Sequence, residues 1–456
     1  MNKFKMVCLA IALLQGSNML AGGLLTNTNQ HIAFNRMLSR EASIAIDGVY
    51  YNPAGVAFLG EGHHLALNWQ LAYQDRTIKN DYLLFTNNVN APITPRAFKG
   101  KAIAPALPSL QYAYNKGNWS FQANFALIGG GGKCTFDNGL GSFEKIVAET
   151  AMGACQLAGA VDQVGYGVGQ KIGLRIPLQL FTSDNRFGCK GSYSYDSYMH
   201  GRQYYFGLSL GAAYKVSDNL SVFAGVRGVY ASCNYYGYVR DIKVGNMPLY
   251  KVLDPTKPDA ANIELSCDQT GLGFTPIIGV DFKAGRWNFA AKYEFKTRMR
   301  LKNKSVNKAP SIGALADNLH AAYTEQLHVP AATAAAILGN PLIKGALAQL
   351  KQQFDTKLQN AIGEYEDGKN IAGDIPSYLA VGVGYKPVDA LRINVGFHWF
   401  DDKNATSYNN RNKDLDRGTF EYNAGVEYDL NKKFTVSTGW QKTSYGLSDK
   451  YMDDKS

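Results

Sequence analysis

Three cationic residues carry the most specific chemistry that this sequence offers. Arg227, Lys292 and Arg392 each fall on the polar face of a segment in which apolar and polar residues alternate. A guanidinium or ammonium group on such a face can bind the carboxylate of an organic acid through charge-assisted hydrogen bonds. The alternative for each cation is a structural ion pair with Glu294, Glu427 or a similar acid. The sequence leaves both roles open.

Motifs for covalent or metal-assisted catalysis are rejected. The segment GLSLG, residues 207–211, has the spacing of a nucleophile elbow, but it lies within an alternating strand and no helix follows it. His63 and His64 are adjacent in a strand and point in opposite directions, so they would be poor ligands for one metal ion. The sequence has no HExxH, P-loop or dinucleotide motif. We therefore predict a protein that is not an enzyme and needs no cofactor or metal.

Strands are the elements that must position these cations. In LRINVGFHW, residues 391–399, the odd-numbered residues are apolar, which is the period of a β-strand with one face in an apolar environment. About eleven such segments can be counted, and short joints alternate with long ones, as in outer-membrane barrels. The segments begin near Leu65, Ala106, Trp119, Tyr204, Leu220, Leu272, Trp287, Tyr378, Leu391, Thr419 and Phe434. The sequence thus predicts an all-β, transmembrane antiparallel β-barrel.

A soluble β-sandwich would show the same alternation, but it explains the unequal joints poorly and would need a second sheet to cover the aromatic residues. The barrel interpretation also predicts which side chains of each strand face outward. It predicts that four side chains face lipid, namely Leu208, Leu210, Val222 and Val226, and that Ser209 and Arg227 face inward.

The composition fits an exported barrel. The 456 residues include 28 Tyr, 22 Phe, 47 Gly and only 15 Pro, which suits many strands with aromatic ends. Beyond the N-terminal segment no run of about 18 apolar residues occurs, which argues against an α-helical membrane protein. The net charge of +10 is spread without a basic block, so nucleic acid is not an expected partner. The positive charge of an exported chain favours contact with anionic lipid head groups, so outer-membrane lipid, including lipopolysaccharide, is an expected partner; the alternative is ordinary solvated charge.

Residues 1–21 have the pattern of a secretory signal peptide, because Lys3 and Lys5 precede an apolar run and small residues follow it. The mature chain would begin at Gly22. Export permits disulfides. Cys233 and Cys267 flank one predicted loop and are the expected pair, and the odd number of cysteines in the mature chain leaves at least one free.

Two kinds of segment interrupt the strand pattern. Residues 22–62 contain a predicted short helix, residues 31–43, and a turn in which Asn52 can cap and Pro53 can begin another helix. The turn motif is Asn52, Pro53, Ala54 and Gly55. The long connections 131–192 and 303–376 contain helical patterns, the second capped by Asn340 with Pro341 at its first position. Its apolar stripe is Leu347, Leu350, Phe354, Leu358 and Ile362. These helices either pack on one another or leave an apolar groove for a ligand.

The signal peptide, the segment GVYYNPAGVAFL, a first strand directly behind it and helical insertions in an alternating barrel resemble the long-chain fatty-acid outer-membrane transporters of the FadL/TodX type, which include OmpP1-like proteins. The resemblance implies that residues 22–62 form a hatch, or plug, inside a barrel made by residues 63–456. It also implies fourteen strands. Since only about eleven are visible and an open sheet would leave unpaired backbone in lipid, we expect the sequence to be truncated at its C-terminus.

The resemblance further implies a monomer of the bacterial outer membrane that takes up hydrophobic compounds, most of all long-chain fatty acids, with aromatic hydrocarbons as the other ligand class. The mature N-terminus would reach the ligand site, which assigns Gly22, Gly23, Leu24 and Leu25. The expected lateral opening is the glycine run Gly129, Gly130, Gly131 and Gly132, where strand pairing should fail; the alternative is a flexible exit into a loop. A nonspecific porin or a surface adhesin or receptor barrel is the alternative function.

Overall fold

The computed structural model describes residues 24–26, 29–179, 181–183, 191–310, 314–326 and 328–448. The predicted signal peptide, Gly22, Gly23 and Cys189 lie outside these residues.

The strands form one antiparallel sheet of 14 strands. They are β1 (Gly62–Asn80), β2 (Arg96–Lys116), β3 (Trp119–Phe136), β4 (Tyr193–Lys215), β5 (Leu220–Val244), β6 (Met247–Pro248), β7 (Ile263–Ala284), β8 (Trp287–Glu294), β9 (Arg300–Lys308), β10 (Asn370–Ala372), β11 (Tyr378–Val388), β12 (Leu391–Phe400), β13 (Thr419–Asp429) and β14 (Thr435–Ser444). Each predicted segment coincides with one of these strands. The short strands β6, β9 and β10 were not expected from the sequence.

The wall runs in chain order from β1 to β14. One part of β7 pairs with β8 and another with β9, while β11 pairs with β8 and β10 pairs with β9. The pairs β8/β9 and β10/β11 therefore each act as one interrupted strand. Within the described part of the chain, β1 pairs only with β2 and β14 only with β13.

The outward face of the wall is apolar, and the predicted register is confirmed. Leu208 is 52% exposed and Leu210 54%, whereas Ser209 between them is 8% exposed and Arg227 on the neighbouring strand 2%. A sheet that exposes its large aliphatic side chains and buries its polar ones on the inner face has the surface of a transmembrane barrel.

This register leads to a first prediction. Leu208 lies near the middle of the span between the outward-facing Tyr204 and Tyr214, whereas Val222 pairs with Tyr214 near one end of the apolar band. Leu208→Arg should therefore cost about 2–4 kcal/mol of folding free energy and Val222→Arg only about 0–1 kcal/mol. The measurement is equilibrium folding into lipid bilayers. Equal costs at the two positions would contradict the assigned height of the band.

The helices lie in the N-terminal segment and in the long connections. They are α1 (Ile32–Arg36), α2 (Gly48–Tyr51), α3 (Gly141–Ile172), α4 (Tyr250–Leu253), α5 (Leu315–Ala321), α6 (Ala331–Leu338) and α7 (Pro341–Ile362). The predicted cap of α7 is confirmed, because the side chain of Asn340 accepts a hydrogen bond of 3.0 Å from the backbone N–H of Leu342. Pro341 occupies the first position, where its missing N–H costs nothing.

As for helices that could cross a membrane, none of those described is by itself long and apolar enough, although α6 and residues Pro341–Thr356 meet both criteria as a pair bent by 64°.

Residues 29–61, called the hatch below, lie against the inner face of the wall. The predicted helix over residues 31–43 is shorter than expected and ends at Arg36. The residues that follow take other partners: Arg40 pairs with Asp47 at 2.7 Å, and Glu41 pairs with His398 on β12 at 2.7 Å. These buried ion pairs override the helical pattern, because a charged side chain removed from water needs a partner.

The predicted disulfide is wrong for this structure. Cys233 and Cys267 lie on the adjacent strands β5 and β7, but Cys233 is opposite Gln269 and Cys267 is opposite Tyr235. Both thiols are free and buried in the described structure. The two cysteines are offset by two residues along the paired strands, so their side chains do not meet although both flank the same predicted loop.

Candidate functional site

The Asn-Pro-Ala-Gly motif attaches the hatch to the wall. The side-chain amide of Asn52 donates to Asp281 on β7 at 2.6 Å, and its oxygen accepts from the N–H of Gly55 at 3.2 Å. Gln122 on β3 donates to the carbonyl of Pro53 at 2.7 Å. A Cβ on Gly55 would lie 2.4 Å from the Asn52 amide nitrogen, so any larger residue there would displace Asn52 from its hydrogen bonds. All four motif residues, Asn52, Pro53, Ala54 and Gly55, are buried.

The wall has a gap between β2 and β3. Ile103 is opposite Lys133 and Ser109 is opposite Ala126, but the residues between these two pairs are not matched. Two causes are visible in the sequence. Pro105 and Pro108 on β2 have no N–H to donate. On β3, Gly130 and Gly132 have φ of +84° and +81°, which disrupts a regular ladder. The glycine run therefore lies where the strand pairing is interrupted.

The N-terminal residues of the described chain cover the inner side of this gap. A Cβ built on Gly129 would lie 2.8 Å from Cγ of Leu24, so the leucine is in direct contact with the glycine. Leu25 is buried in an apolar cluster that the hatch and the wall share. Other members of the cluster are Ile128, Tyr205, Val229, Met299 and Tyr378. Of the predicted N-terminal site residues, the two leucines thus lie in an apolar interior beside the gap.

Gln30 links the hatch to both sides of the gap. Its side-chain amide donates to the carbonyl of Leu127 on β3 at 2.5 Å. Its own carbonyl accepts hydrogen bonds from Ser109 at 2.6 Å and Gln111 at 2.9 Å, both on β2. One hatch residue therefore holds together the two strands at the point where their direct pairing ends.

Two of the three predicted cations lie together below this cluster. Arg227 donates to both oxygens of Glu294 at 2.5 and 2.9 Å, and Lys292 donates to the same carboxylate at 2.9 Å. Lys292 also donates to the backbone carbonyl of Tyr50 at 2.7 Å. The Tyr50 ring centroid lies 4.5 Å from the Lys292 ammonium and 5.4 Å from the Arg227 guanidinium. Within this triad, two cations share one carboxylate.

Arg392 lies elsewhere. Its guanidinium contacts Asp429 at 2.6 and 2.7 Å and Glu427 at 3.1 Å, where β12 begins and β13 ends, next to the short turns that join β11 to β12 and β13 to β14. It is therefore separate from the Arg227 and Lys292 triad. All three cations have an acidic partner, which is the arrangement that the ion-pair alternative described.

A buried chain of ionisable groups connects the hatch to the wall and was missed in the sequence. His398 on β12 contacts Glu41 of the hatch through Nε2 at 2.7 Å and Glu421 on β13 through Nδ1 at 2.9 Å. Ser39 donates to Glu41 at 3.1 Å. All three ionisable groups are buried. With a carboxylate at each ring nitrogen, the arrangement suits a doubly protonated imidazole that donates to both.

The long helices form an apolar cleft at the end of the barrel with the long connections. It lies between α3, α4, α5 and α7, and the chain segments that end β5 and β6 complete it. Six of its lining residues are Leu157, Val161, Leu249, Leu253, Leu319 and Phe354. Both expectations for these helices apply, because they pack on one another and also leave an apolar groove.

Glu364, in the 3-10 helix Gly363–Tyr365 after α7, is a buried acid whose Oε2 has no hydrogen-bond partner among the described residues. Burial raises the pKa of Glu364 to about 7, although nearby Arg411 acts in the opposite direction. A carboxyl whose pKa is higher in the folded state stabilises the fold below its unfolded pKa of about 4.5, and that stability is lost as the pH rises through about 7.

The second prediction follows from this direction of the pH dependence. The parent protein should lose up to about 3 kcal/mol of stability between pH 5 and pH 8 through this group. Glu364→Gln should remove that part of the pH dependence. The measurement is the thermal unfolding midpoint at both pH values, with the exposed Glu325→Gln as the matched control. An unchanged pH dependence in Glu364→Gln would count against the assignment.

An antiparallel sheet with an apolar outer face, an N-terminal segment bound on its inner face and helices gathered at one end define a transmembrane β-barrel with an internal hatch. Comparison with solved structures then identifies the fold more closely. A FadL homologue from Pseudomonas aeruginosa matches with a TM-score of 0.51 and 14% sequence identity, covering 94% of this chain and 82% of that chain.

Two toluene transporters have lower scores. TbuX from Ralstonia pickettii matches with a TM-score of 0.45 and 13% identity, covering 88% of this chain and 82% of that one. TodX from Pseudomonas putida matches with a TM-score of 0.44 and 12% identity, covering 94% and 85%. No protein-family model matches the sequence, and no curated protein does. The chain has the FadL-type outer-membrane β-barrel fold.

Proposed function

We propose that this protein takes up hydrophobic compounds across the bacterial outer membrane, with long-chain fatty acids as the preferred class. The observation that carries the proposal is the position of Leu25 in a buried apolar cluster, with the partly buried Leu24 packed against that cluster directly beside the gap in the wall. A pore for hydrophilic solutes would not require an apolar interior at this point. The FadL-type fold supports the same class of function.

The first step in the proposal is capture at the external cleft. The end with the long connections and helices faces the outside, because outer-membrane barrels have short periplasmic turns and long external loops. An acyl chain that enters the cleft leaves water, and each buried CH₂ group gains about 0.8 kcal/mol. The cleft is lined almost entirely by aliphatic and aromatic side chains, so it selects for apolarity rather than for a particular head group.

The second step is transfer to the interior beside Leu25. There the apolar cluster can take the chain, and the Arg227, Lys292 and Glu294 triad below it carries one positive charge in excess. A fatty-acid carboxylate can bind to Lys292 in place of its contact with the Tyr50 carbonyl. An aromatic hydrocarbon would use the cluster alone.

The third step is lateral release through the gap between β2 and β3. Movement of Leu24 away from Gly129 uncovers the opening, and the ligand enters the outer leaflet without crossing water. This route avoids the exposure of an acyl chain at the aqueous periplasmic end.

The third prediction tests the ligand class. Lys292→Met removes one charge and leaves the Arg227 and Glu294 pair intact. We expect oleate binding to weaken at least about tenfold, because a charge-assisted hydrogen bond contributes about 1.5–3 kcal/mol, while toluene binding stays within about twofold. The measurements are equilibrium binding and uptake into proteoliposomes, with Lys302→Met on the outer face of β9 as the control. Unchanged oleate binding by Lys292→Met would reject the carboxylate site. An absence of uptake of both compounds by the parent protein would reject transport itself.

A further inference from the structure

The height of the apolar band can be read along β4. Its outward-facing residues run from Tyr204 through Leu208 and Leu210 to Tyr214. Ten residue steps of about 3.3 Å on a strand tilted by about 40° give a height of about 25 Å, which is the height of the lipid-facing band of such barrels. Tyr204 therefore marks the upper edge of the band, on the side of the external helices. Arg202, the next outward residue, lies in the layer of the lipid head groups.

Two cations face each other in this layer. Lys133 on β3 is directly opposite Arg202 on β4, on the outer face of the wall. Lys101 on β2 lies one step along the same face, since its neighbour Ile103 is opposite Lys133. Like charges placed directly opposite each other in a sheet are destabilising. Such a pair is favourable only when an anion lies between the two cations.

No acid of the described residues lies between the two cations, and Asp75 on β1 is opposite Lys101 rather than opposite either of them. Neither Lys133 nor Arg202 forms an ion pair within the described part of the chain. Along the row of Arg202 the next residue is Asn234, and the first acid is Asp268, two strands away. Asp268 already accepts a hydrogen bond of 2.8 Å from Asn234.

The guanidinium of Arg202 is held in place with donor capacity unused. It lies over the ring of Tyr204, 5.7 Å from the centroid, so the aromatic residue at the edge of the band supports it. Its Nε is buried and has no hydrogen-bond partner among the described residues. A buried donor without a partner is costly, so a small shift of the side chain that brings the guanidinium to an external acceptor would remove this cost.

We propose that Lys133 and Arg202 form a binding site for a phosphate group of lipopolysaccharide in the outer leaflet. Phosphate matches the site because its oxygens can accept hydrogen bonds from a guanidinium and an ammonium at once. The site adjoins Gly132, so a bound lipid would sit at the outer mouth of the gap. The proposal depends on the membrane orientation and is independent of the transported compound.

The test is binding of hexa-acylated bisphosphorylated lipid A to the detergent-purified full chain, measured by native mass spectrometry. The double variant Lys133→Ala/Arg202→Ala should bind lipid A at least about tenfold more weakly than the parent, because two charge-assisted contacts are lost. Lys432→Ala/Lys433→Ala, which removes the same charge from the opposite end of the barrel, should bind like the parent. Lipid A without its phosphates should bind weakly to all three proteins.

Equal binding of lipid A by parent and double variant would overturn the proposal, and so would equally tight binding of dephosphorylated lipid A. If lipid A binding is unchanged but oleate uptake falls, the two cations serve the departing carboxylate instead, and the proposal is again wrong. Lys133→Gln/Arg202→Gln, which retains polar side chains of intermediate length, covers the case in which the alanine variant does not fold. Retained oleate uptake with lost lipid A binding would separate this site from the proposed transport function.

Discussion

Replacement of Gly129 by valine is expected to reduce uptake of long-chain fatty acids at least about tenfold while the barrel remains folded. A side chain at this position would occupy the space now taken by Leu24, since even its Cβ would lie 2.8 Å from Cγ of that leucine. The added bulk would block the inner side of the gap, and a block of the proposed exit would stop transport without disturbing the external cleft. Gly129 does not have a positive φ, so valine introduces no backbone strain there.

The measurement is oleate uptake into proteoliposomes, together with oleate binding to the purified protein. Gly228→Val is the matched control, because Gly228 lies on the outer face of β5 and a Cβ there would have its nearest neighbour at 3.7 Å. Valine at Gly130 or Gly132 would not be informative, since both have positive φ and a Cβ at either would lie 2.2 Å from a backbone oxygen. Normal uptake by Gly129→Val would exclude the lateral route and favour passage past a displaced hatch.

Replacement of His398 by leucine is expected to destabilise the protein by about 3–5 kcal/mol, the usual cost of removing one partner from a buried ion pair. The change leaves Glu41 and Glu421 buried without their shared partner. Because Glu41 belongs to the hatch, we expect the hatch to detach before the wall unfolds. Limited proteolysis within residues 37–47 and the thermal unfolding midpoint report these two events separately.

His63→Leu is the control for this experiment, because His63 is exposed on β1 and surface substitutions usually change stability by less than about 0.5 kcal/mol. A loss of wall stability with the hatch still protected would mean that the histidine supports β12 and β13 rather than the hatch. A neutral effect would mean that the two carboxylates are accommodated without it.

The alternation of apolar residues was sufficient to predict the long strands of the wall, though not the short strands β6, β9 and β10. It placed Leu208 and Leu210 outside and Ser209 inside, because the period of a strand is two and a slip of one residue would reverse every side chain. The cap and the first residue of α7 were also predicted correctly, since Asn340 and Pro341 act on the first turn of the helix that they begin. These are local effects, and local sequence contains them.

Contacts between distant residues were not readable. Glu41 and His398 are 357 positions apart, and neither neighbourhood indicates the other. Cys233 and Cys267 were paired wrongly because the stagger between β5 and β7 depends on the whole sheet. The gap is an intermediate case. The glycine run was recognised, but Pro105 and Pro108 gained their meaning only once the register placed them opposite it.

The hydrogen bonds of Gln30 to both strands beside the gap have a thermodynamic consequence. Because one residue binds the hatch to β2 and β3, the position of the hatch and the opening of the wall share a coupling free energy, and such coupling is reciprocal. A ligand that binds more tightly when the hatch has moved must favour the open wall by the same amount. Conversely, if the wall opens by the proposed route, an acyl chain that separates β2 from β3 on the lipid side would weaken the contacts of the hatch, and membrane lipid would then act as an effector of the protein.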